Sequence, residues 1–479
     1  GGGAGGARGG RRGGGGGGWG GGGRGRGGGG GAGGGGGAAG GGERGRGAGC
    51  LMGTRVPVLV PIVYEVLLGI AFLYYWPTLL ASVSRNAPPS LRATLMGAVF
   101  LSSDLFPVSV FSGLVPVPMC LIFWIWGGPR RVYATLKFVL FTLAGSLLML
   151  VGIIAVYLAS GDAGSRTLSL PELIAERARF SADFQFWVFL AFALAFAIKM
   201  PMVPFHTWLP DAHVEAPTAG SIVLAGVLLK AGGYGFLRFA LPLFPYGTQA
   251  WLPILILLSV VAILYGAVVS VVQKDLKKLV AYSSVAHMGF VTLGIFVLNA
   301  QGAVGAVFQM LNHGFVTGAL FLFVGIQYEK THRRQIADLG GLANRWPLYT
   351  TFFGVFVLAS LGLPGLSGFV GEFLVLLGTF KFNPATGPGG LFWGPLAAIG
   401  VILAAVYLLW MFQRVMFGTV REAYRSLPDL SPLEVACAVP LLVLTVLLGI
   451  FPQAASAYIE PSIARIIAAA TGASFVVLH

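Results

Sequence analysis

From Val56 onward the chain is a succession of apolar runs separated by short polar loops. Because about 20 apolar residues span a bilayer as one helix, the pattern predicts crossings near 56–84, 91–106, 108–127, 133–158, 184–203, 216–243, 250–272, 276–298, 302–327, 348–380, 390–417 and 432–452. Of these twelve, the second is short and the sixth and tenth are long, as tilted or interrupted helices would be. The expected fold is an all-α, polytopic membrane protein.

The first 49 residues break this pattern: they are nearly all glycine with scattered arginine and no apolar periodicity. Such a segment cannot bury enough surface to offset its ordering entropy and is expected to be disordered. An RGG-like tail could bind RNA, and an acid-poor, Arg-rich leader could be a transit peptide, although serine and amphipathicity are missing. The preferred reading is an upstream extension from a misplaced start, and the fold does not depend on it.

Composition supports the membrane reading, with 56% hydrophobic and 10% charged residues and a mean hydropathy of +0.82. Of the net charge of +14, seven arginines and one glutamate before Cys50 supply six units, and the rest sits in short loops, so no nucleic-acid partner is expected. Arg130 and Arg131, then Lys274, Lys277 and Lys278, then Lys330, Arg333, Arg334 and Arg345, and finally Arg414, Arg421 and Arg425 all follow odd-numbered spans. They therefore mark one, cytoplasmic-type side; Arg44, Arg46 and Arg55 point the other way. Cys50, Cys120 and Cys437 lie far apart with no CxxC spacing, so neither a disulfide framework nor a metal or iron–sulfur site is indicated.

Two places read as discontinuous helices. In KMPMVPFHTWLP, Pro201 and Pro204 remove backbone donors just after Lys199, and in LGLPGLSGFVGEF, Pro364 does so just ahead of Glu372, among glycines that loosen the backbone. Broken backbone at membrane depth lines cavities or is buried in protein, and paired breaks in two halves of a chain point to inverted repeats with ion sites between them. The chain then divides into a tail (1–49), an N-terminal membrane segment (50–90), two five-helix repeats (91–243 and 250–417) and a C-terminal helix and tail (418–479).

Few ionisable residues fall inside the spans. A lysine near the centre of a membrane helix costs about 2.5 to 3.5 kcal/mol on insertion scales, so it persists where it faces protein, water or a partner charge. Lys230 has twelve mostly apolar residues on either side, too deep to snorkel. Lys199 lies near a span end and could snorkel, but the break beside it favours a hydrated functional site. Glu372 could act at a helix start, stabilised by the local dipole, and titrate as well. For His287 and His313, each on an apolar helix, core packing and proton relay both stay open. His206, His213, Asp211 and Glu215 occupy a Pro-rich connection and are read as loop-ordering groups rather than metal ligands; Lys137 is read as interfacial and Arg238 as an anchor at a span end.

The motifs WGGPRRVYATLKF, the block at 196–235, QKDLKKLVAYSSVAHMGF, YEKTHRR and LGLPGLSGFVGEF occur in the order of one family. From about Leu95 to Pro452 the chain resembles the antiporter-like subunit 4 (M in bacteria) of proton-pumping NADH:quinone oxidoreductase, respiratory complex I. The resemblance implies fourteen helices where twelve are found, hence about 12–14. It also implies a proton relay, with the broken-helix lysine on Lys199, the second lysine on Lys230, relay histidines on His287 and His313 and a terminal glutamate on Glu372. The family's glutamate partner of the first lysine falls on Gly113, so Lys199 lacks its nearest expected anion.

The function expected is proton translocation coupled to NADH oxidation by quinone elsewhere in the complex, in a membrane-arm subunit with no prosthetic group. NADH, FMN, iron–sulfur clusters and quinone would belong to other subunits. The partners implied are antiporter-like neighbours on both sides and the lipid bilayer, in a bacterial inner membrane or alternatively a mitochondrial one. The alternatives are a subunit of a multisubunit cation/proton antiporter and, because of Gly113, a membrane-arm subunit that assembles but does not conduct.

Overall fold

The computed structural model describes residues 104–162, 164–384 and 387–471. The expectations for the Gly/Arg tail, for residues 50–90, for the span at 56–84 and for most of the span at 91–106 lie outside these residues. What is described is helical. Local sequence sets most helix starts: prolines, which need no hydrogen-bond acceptor in a first turn, open α2 (Pro116–Trp126), α8 (Pro245–Val271), α11 (Pro347–Ser360) and α14 (Pro432–Ile450). Asp275 caps α9 (Leu276–Phe296) by accepting from the amides of Lys277 and Lys278 at 2.9 and 3.1 Å. Asn299 caps α10 (Ala300–Thr331) and also donates to the Gly378 carbonyl at 2.8 Å, fixing α10 against α12 (Ser367–Phe380).

The remaining elements are α1 (Leu105–Leu114), α3 (Arg131–Ala159), α4 (Leu170–Ala175), α5 (Ala182–Lys199), α6 (Trp208–Glu215), α7 (Thr218–Leu243), α13 (Gly390–Met416) and α15 (Gln453–Thr471). Nine helical stretches among the described residues are long and apolar enough to cross a membrane. The span expected at 348–380 is instead two short helices, α11 and α12. Between them Gly362 (φ +79°) and Gly365 (φ +90°) take left-handed conformations that a side chain would strain. The sequence after 418 gives two helices, α14 and α15, where one was expected, because Phe451 and Pro452 end the first and a new helix starts at Gln453.

Burial sorts the helices into layers. The apolar stretch of α10 is entirely inside the protein and that of α9 is 94% inside, against 28% for α14 and 33% for α13. The inner helices carry the polar side chains, whereas α3 shows lipid a stripe of Leu136, Leu140, Leu143, Leu147, Val151 and Ile154 at helical spacing. Without water to drive helices together, close backbone approach at small residues has to hold them. At the α8–α9 crossing a Cβ added to Gly289 would lie 2.8 Å from the backbone nitrogen of Ile263 and 2.9 Å from the Ser259 carbonyl oxygen.

This contact is testable. Gly289→Val should overpack the crossing at a cost of about 1–3 kcal/mol, lowering the thermal midpoint of the subunit within its complex. Gly113→Ala, whose Cβ would meet nothing within 4 Å, should leave the midpoint where it is. Equal midpoints for Gly289→Val and the unmodified protein would show that the crossing is not set by backbone approach.

Candidate functional site

Lys230 sits on α7 between two wide turns of π-helix, Leu224–Leu228 and Phe236–Ala240. Such turns displace carbonyls from the regular ladder, and the Ala225 carbonyl is free to accept from the Lys230 ammonium. Glycines let α7 and α10 approach here: a Cβ on Gly314 would stand 3.3 Å from the Gly226 carbonyl oxygen. The approach puts Nζ of Lys230 at 2.7 Å from Nδ1 of His313, with both residues buried. Donor and acceptor roles in this pair follow the tautomer of the imidazole, whose other nitrogen is Nε2. That nitrogen is buried with no hydrogen-bond partner.

From His313 the next ring is His287 on α9, with centroids 6.0 Å apart. Both nitrogens of His287 have partners: Nδ1 lies 3.2 Å from Oε1 of Glu372, and Nε2 lies 3.2 Å from the Ser360 hydroxyl at the end of α11. Gln309 of α10 donates to the same Glu372 oxygen at 3.1 Å. Glu372 is 3% exposed, and its second oxygen is buried without a partner. The chain break approaches it closely, since a Cβ on Gly362 would come within 2.7 Å of Oε2. Ser367, at the start of α12, donates to Asn312 of α10 at 2.7 Å and so fixes the break against the helix carrying His313. Four of the five expected residues, Lys230, His313, His287 and Glu372, are thus brought into one buried row.

Lys199 is elsewhere. It is the last residue of α5, 5% exposed, and its ammonium meets the Ser112 hydroxyl of α1. Ser112, Thr142, Leu228 and Ala231 border a cavity of about 10 Å³ beside it, close to the smallest space that holds a water. Gly113 is exposed and faces open space. The position on Lys199 is therefore Ser112, one residue before the one that motif spacing indicates. Asp104 accepts from the Phe106 amide at 2.7 Å, at the first turn of α1.

The connection between α5 and α7 is ordered by charge, as expected. Lys137 and Asp211 pair at 2.8 Å, Glu215 accepts from the Arg130 amide at 2.9 Å, and Lys277 donates to the Ala216 carbonyl at 2.6 Å. His213 departs from the loop-ordering role. Its ring stacks on Phe321 with centroids 4.4 Å apart, and neither nitrogen has a partner. Burial, reinforced by the positive charges of Lys277 and Lys230, holds its pKa well below the ordinary imidazole value, so it is neutral at pH 7. The eight-residue helix α6, with Trp208, Leu209 and Ala212 buried, carries His213 inward. Sequence reading also missed Ser112, Gln309, Asn312 and Ser360, which are neutral polar residues within apolar helices. Gln309, Asn312 and His313 share helical spacing on one face, which is a readable signal. Arg238 lies within α7, five residues before its end, partly exposed with its Nε buried and unpartnered. Among the described residues no three His, Cys, Asp or Glu side chains gather as a metal site would require.

Residues 102–388 match the family described as NADH:quinone oxidoreductase/Mrp antiporter, TM. The chain is 50% identical over 385 residues to NADH-quinone oxidoreductase subunit M of Rhodobacter capsulatus, which covers 79% of this chain and 73% of that protein. Among solved structures it resembles a chain of respiratory complex I from Thermus thermophilus with bound NADH, with a TM-score of 0.76, 36% identity and coverage of 84% and 85%. A chain of the Mrp complex from Dietzia sp. DQ12-45-1b, at 21% identity, a TM-score of 0.69 and coverage of 80% and 79%, shares the fold. On the motifs, the row of buried ionisable groups and this degree of identity, the chain belongs to the subunit M (chain 4) family, the antiporter-like membrane subunits of NADH:quinone oxidoreductase.

Proposed function

We propose that this chain moves protons across the membrane along Lys230, His313, His287 and Glu372, driven by NADH oxidation and quinone reduction in other subunits. The observation that carries this reading is the contiguity of the row: Lys230 to His313 at 2.7 Å and His287 to Glu372 at 3.2 Å, all buried. Titratable groups in hydrogen-bond contact can exchange protons directly. The step between the two imidazoles needs a bridging water or a ring rotation. Moving one proton against the membrane costs about 2.3 kcal/mol per 100 mV, so the row has to alternate between holding and releasing its protons as the complex turns over. Lys199, the last residue of α5 at the first break, lies in the same repeat as Lys230, the repeats being taken as residues 91–243 and 250–417, and its counterpart at the second break is Glu372. Glu372 is the exit or the link to the next subunit, with antiporter-like neighbours on both sides in a bacterial inner membrane.

A second reading, assembly without conduction, is favoured by one observation: Lys199 meets a hydroxyl rather than a carboxylate among the described residues. The row from Lys230 to Glu372 does not include that contact.

Three measurements discriminate. Lys230→Ala should leave the complex assembled, because alanine is well accepted in a helix, while NADH-driven proton pumping in inverted vesicles falls on the order of tenfold, or about 1.4 kcal/mol in the barrier. Normal pumping by this variant would refute the relay. Glu372→Asp should retain partial pumping and Glu372→Gln very little, since the amide keeps the contact to Gln309 but cannot titrate; equal activity of the pair would reduce Glu372 to a structural residue. At the other lysine, Ser112→Asp should raise pumping by giving Lys199 an anion, whereas Gly113→Glu should not. The reverse ranking would show that an acid serves Lys199 from position 113.

A further inference from the structure

A cavity of about 300 Å³ lies between α15 and the ends of α4, α7 and α10, within the size range of small-molecule sites. Its walls are mostly apolar, among them Leu237, Val307, Met310, Ile463 and Ile466. Set into them are two guanidinium groups, Arg238 and Arg465, together with Ser462, and no acidic residue lines the space. Nε of Arg238 and Oγ of Ser462 are shielded from solvent with no hydrogen-bond partner. Arg177 donates to the carbonyl of Pro242, another lining residue, at 2.9 Å, which brings a third guanidinium to the same edge.

We propose that this cavity binds one anionic phospholipid, with an acyl chain in the apolar space and the phosphate held by Arg238 and Arg465. Three features of the cavity specify the occupant. The unsatisfied groups are donors, and a buried donor without an acceptor is strongly disfavoured in a membrane segment. A guanidinium offers a fork of donors that fits phosphate oxygens in pairs, which selects an anion over a neutral acceptor. Water would satisfy the donors but not the walls, because apolar cavities of this kind stay dry. Arg238 lies five residues before the end of α7 at Leu243, about 7.5 Å along the axis.

The test is lipid retention by the intact respiratory complex, purified in mild detergent and analysed by mass spectrometry of its phospholipids. Arg465→Gln alters an exposed side chain, Arg238→Gln alters a half-buried one, and Ile463→Trp fills the cavity while leaving both arginines. Each variant should lose on the order of one anionic phospholipid per complex, with retained zwitterionic lipid unchanged. Unchanged anionic lipid in Arg465→Gln and Ile463→Trp overturns the proposal, and these two variants decide it even if Arg238→Gln fails to assemble. Equal loss of zwitterionic lipid would mean an apolar groove without charge recognition. Loss in the arginine variants but not in Ile463→Trp would mean a surface phosphate contact with no seated acyl chain. Either pattern rejects the site as proposed.

Discussion

Hydrocarbon cannot solvate a polar side chain, and every layer of this protein follows from that constraint. Lys230, His313, His287, Gln309, Asn312 and Glu372 need partners at membrane depth, so the helices that carry them are drawn inside, where each finds one. The outer helices then need only be apolar on their lipid face, as α3 is, and small where they meet the interior, as at Gly145 against Ala195. The broken backbone obeys the same rule in part. The turn at Gly362 lies against Glu372, while Leu363, Pro364 and Gly365 are exposed at the surface of the protein.

The two buried lysines solve the problem differently. Lys230 is held by a backbone carbonyl released by a π turn and by a neighbouring imidazole, both on rigid inner helices. Lys199 ends its helix against a serine and a cavity large enough for a water. The first is built into a continuous row of titratable groups; the second ends in neutral hydroxyls.

Much of this was legible beforehand. Apolar run length located most of the described crossings to within a few residues, and proline marked both breaks, joined by glycine at the second, because those residue types act through the backbone itself. Lys230 was identifiable by depth alone. Other features were not readable, for physical reasons. The π turns flanking Lys230 are written in LAGVL and FLRFA, whose side chains suit a regular helix equally well, so packing rather than propensity decides. Ser112 and Gly113 differ by about 100° of rotation about a helix, which motif spacing alone cannot resolve. His213 lay in a segment too short to show periodicity, and only tertiary burial reveals it. The separate helix α15 begins within a few residues of the preceding one, where hydropathy alone sees a single tail.

The complete enclosure of α10 also bears on how the chain is made. Its 32 residues extend about 48 Å, and Gln309, Asn312 and His313 would lie uncovered in lipid if it stood alone. A nascent α10 therefore has no stable resting place in the bilayer until α12, which holds Asn312 and Gln309, has been synthesised. Integration of this region is cooperative over at least the stretch from α9 to α12. A polypeptide cut short within α11 leaves its most polar crossing exposed, a clear mark for membrane quality-control proteolysis.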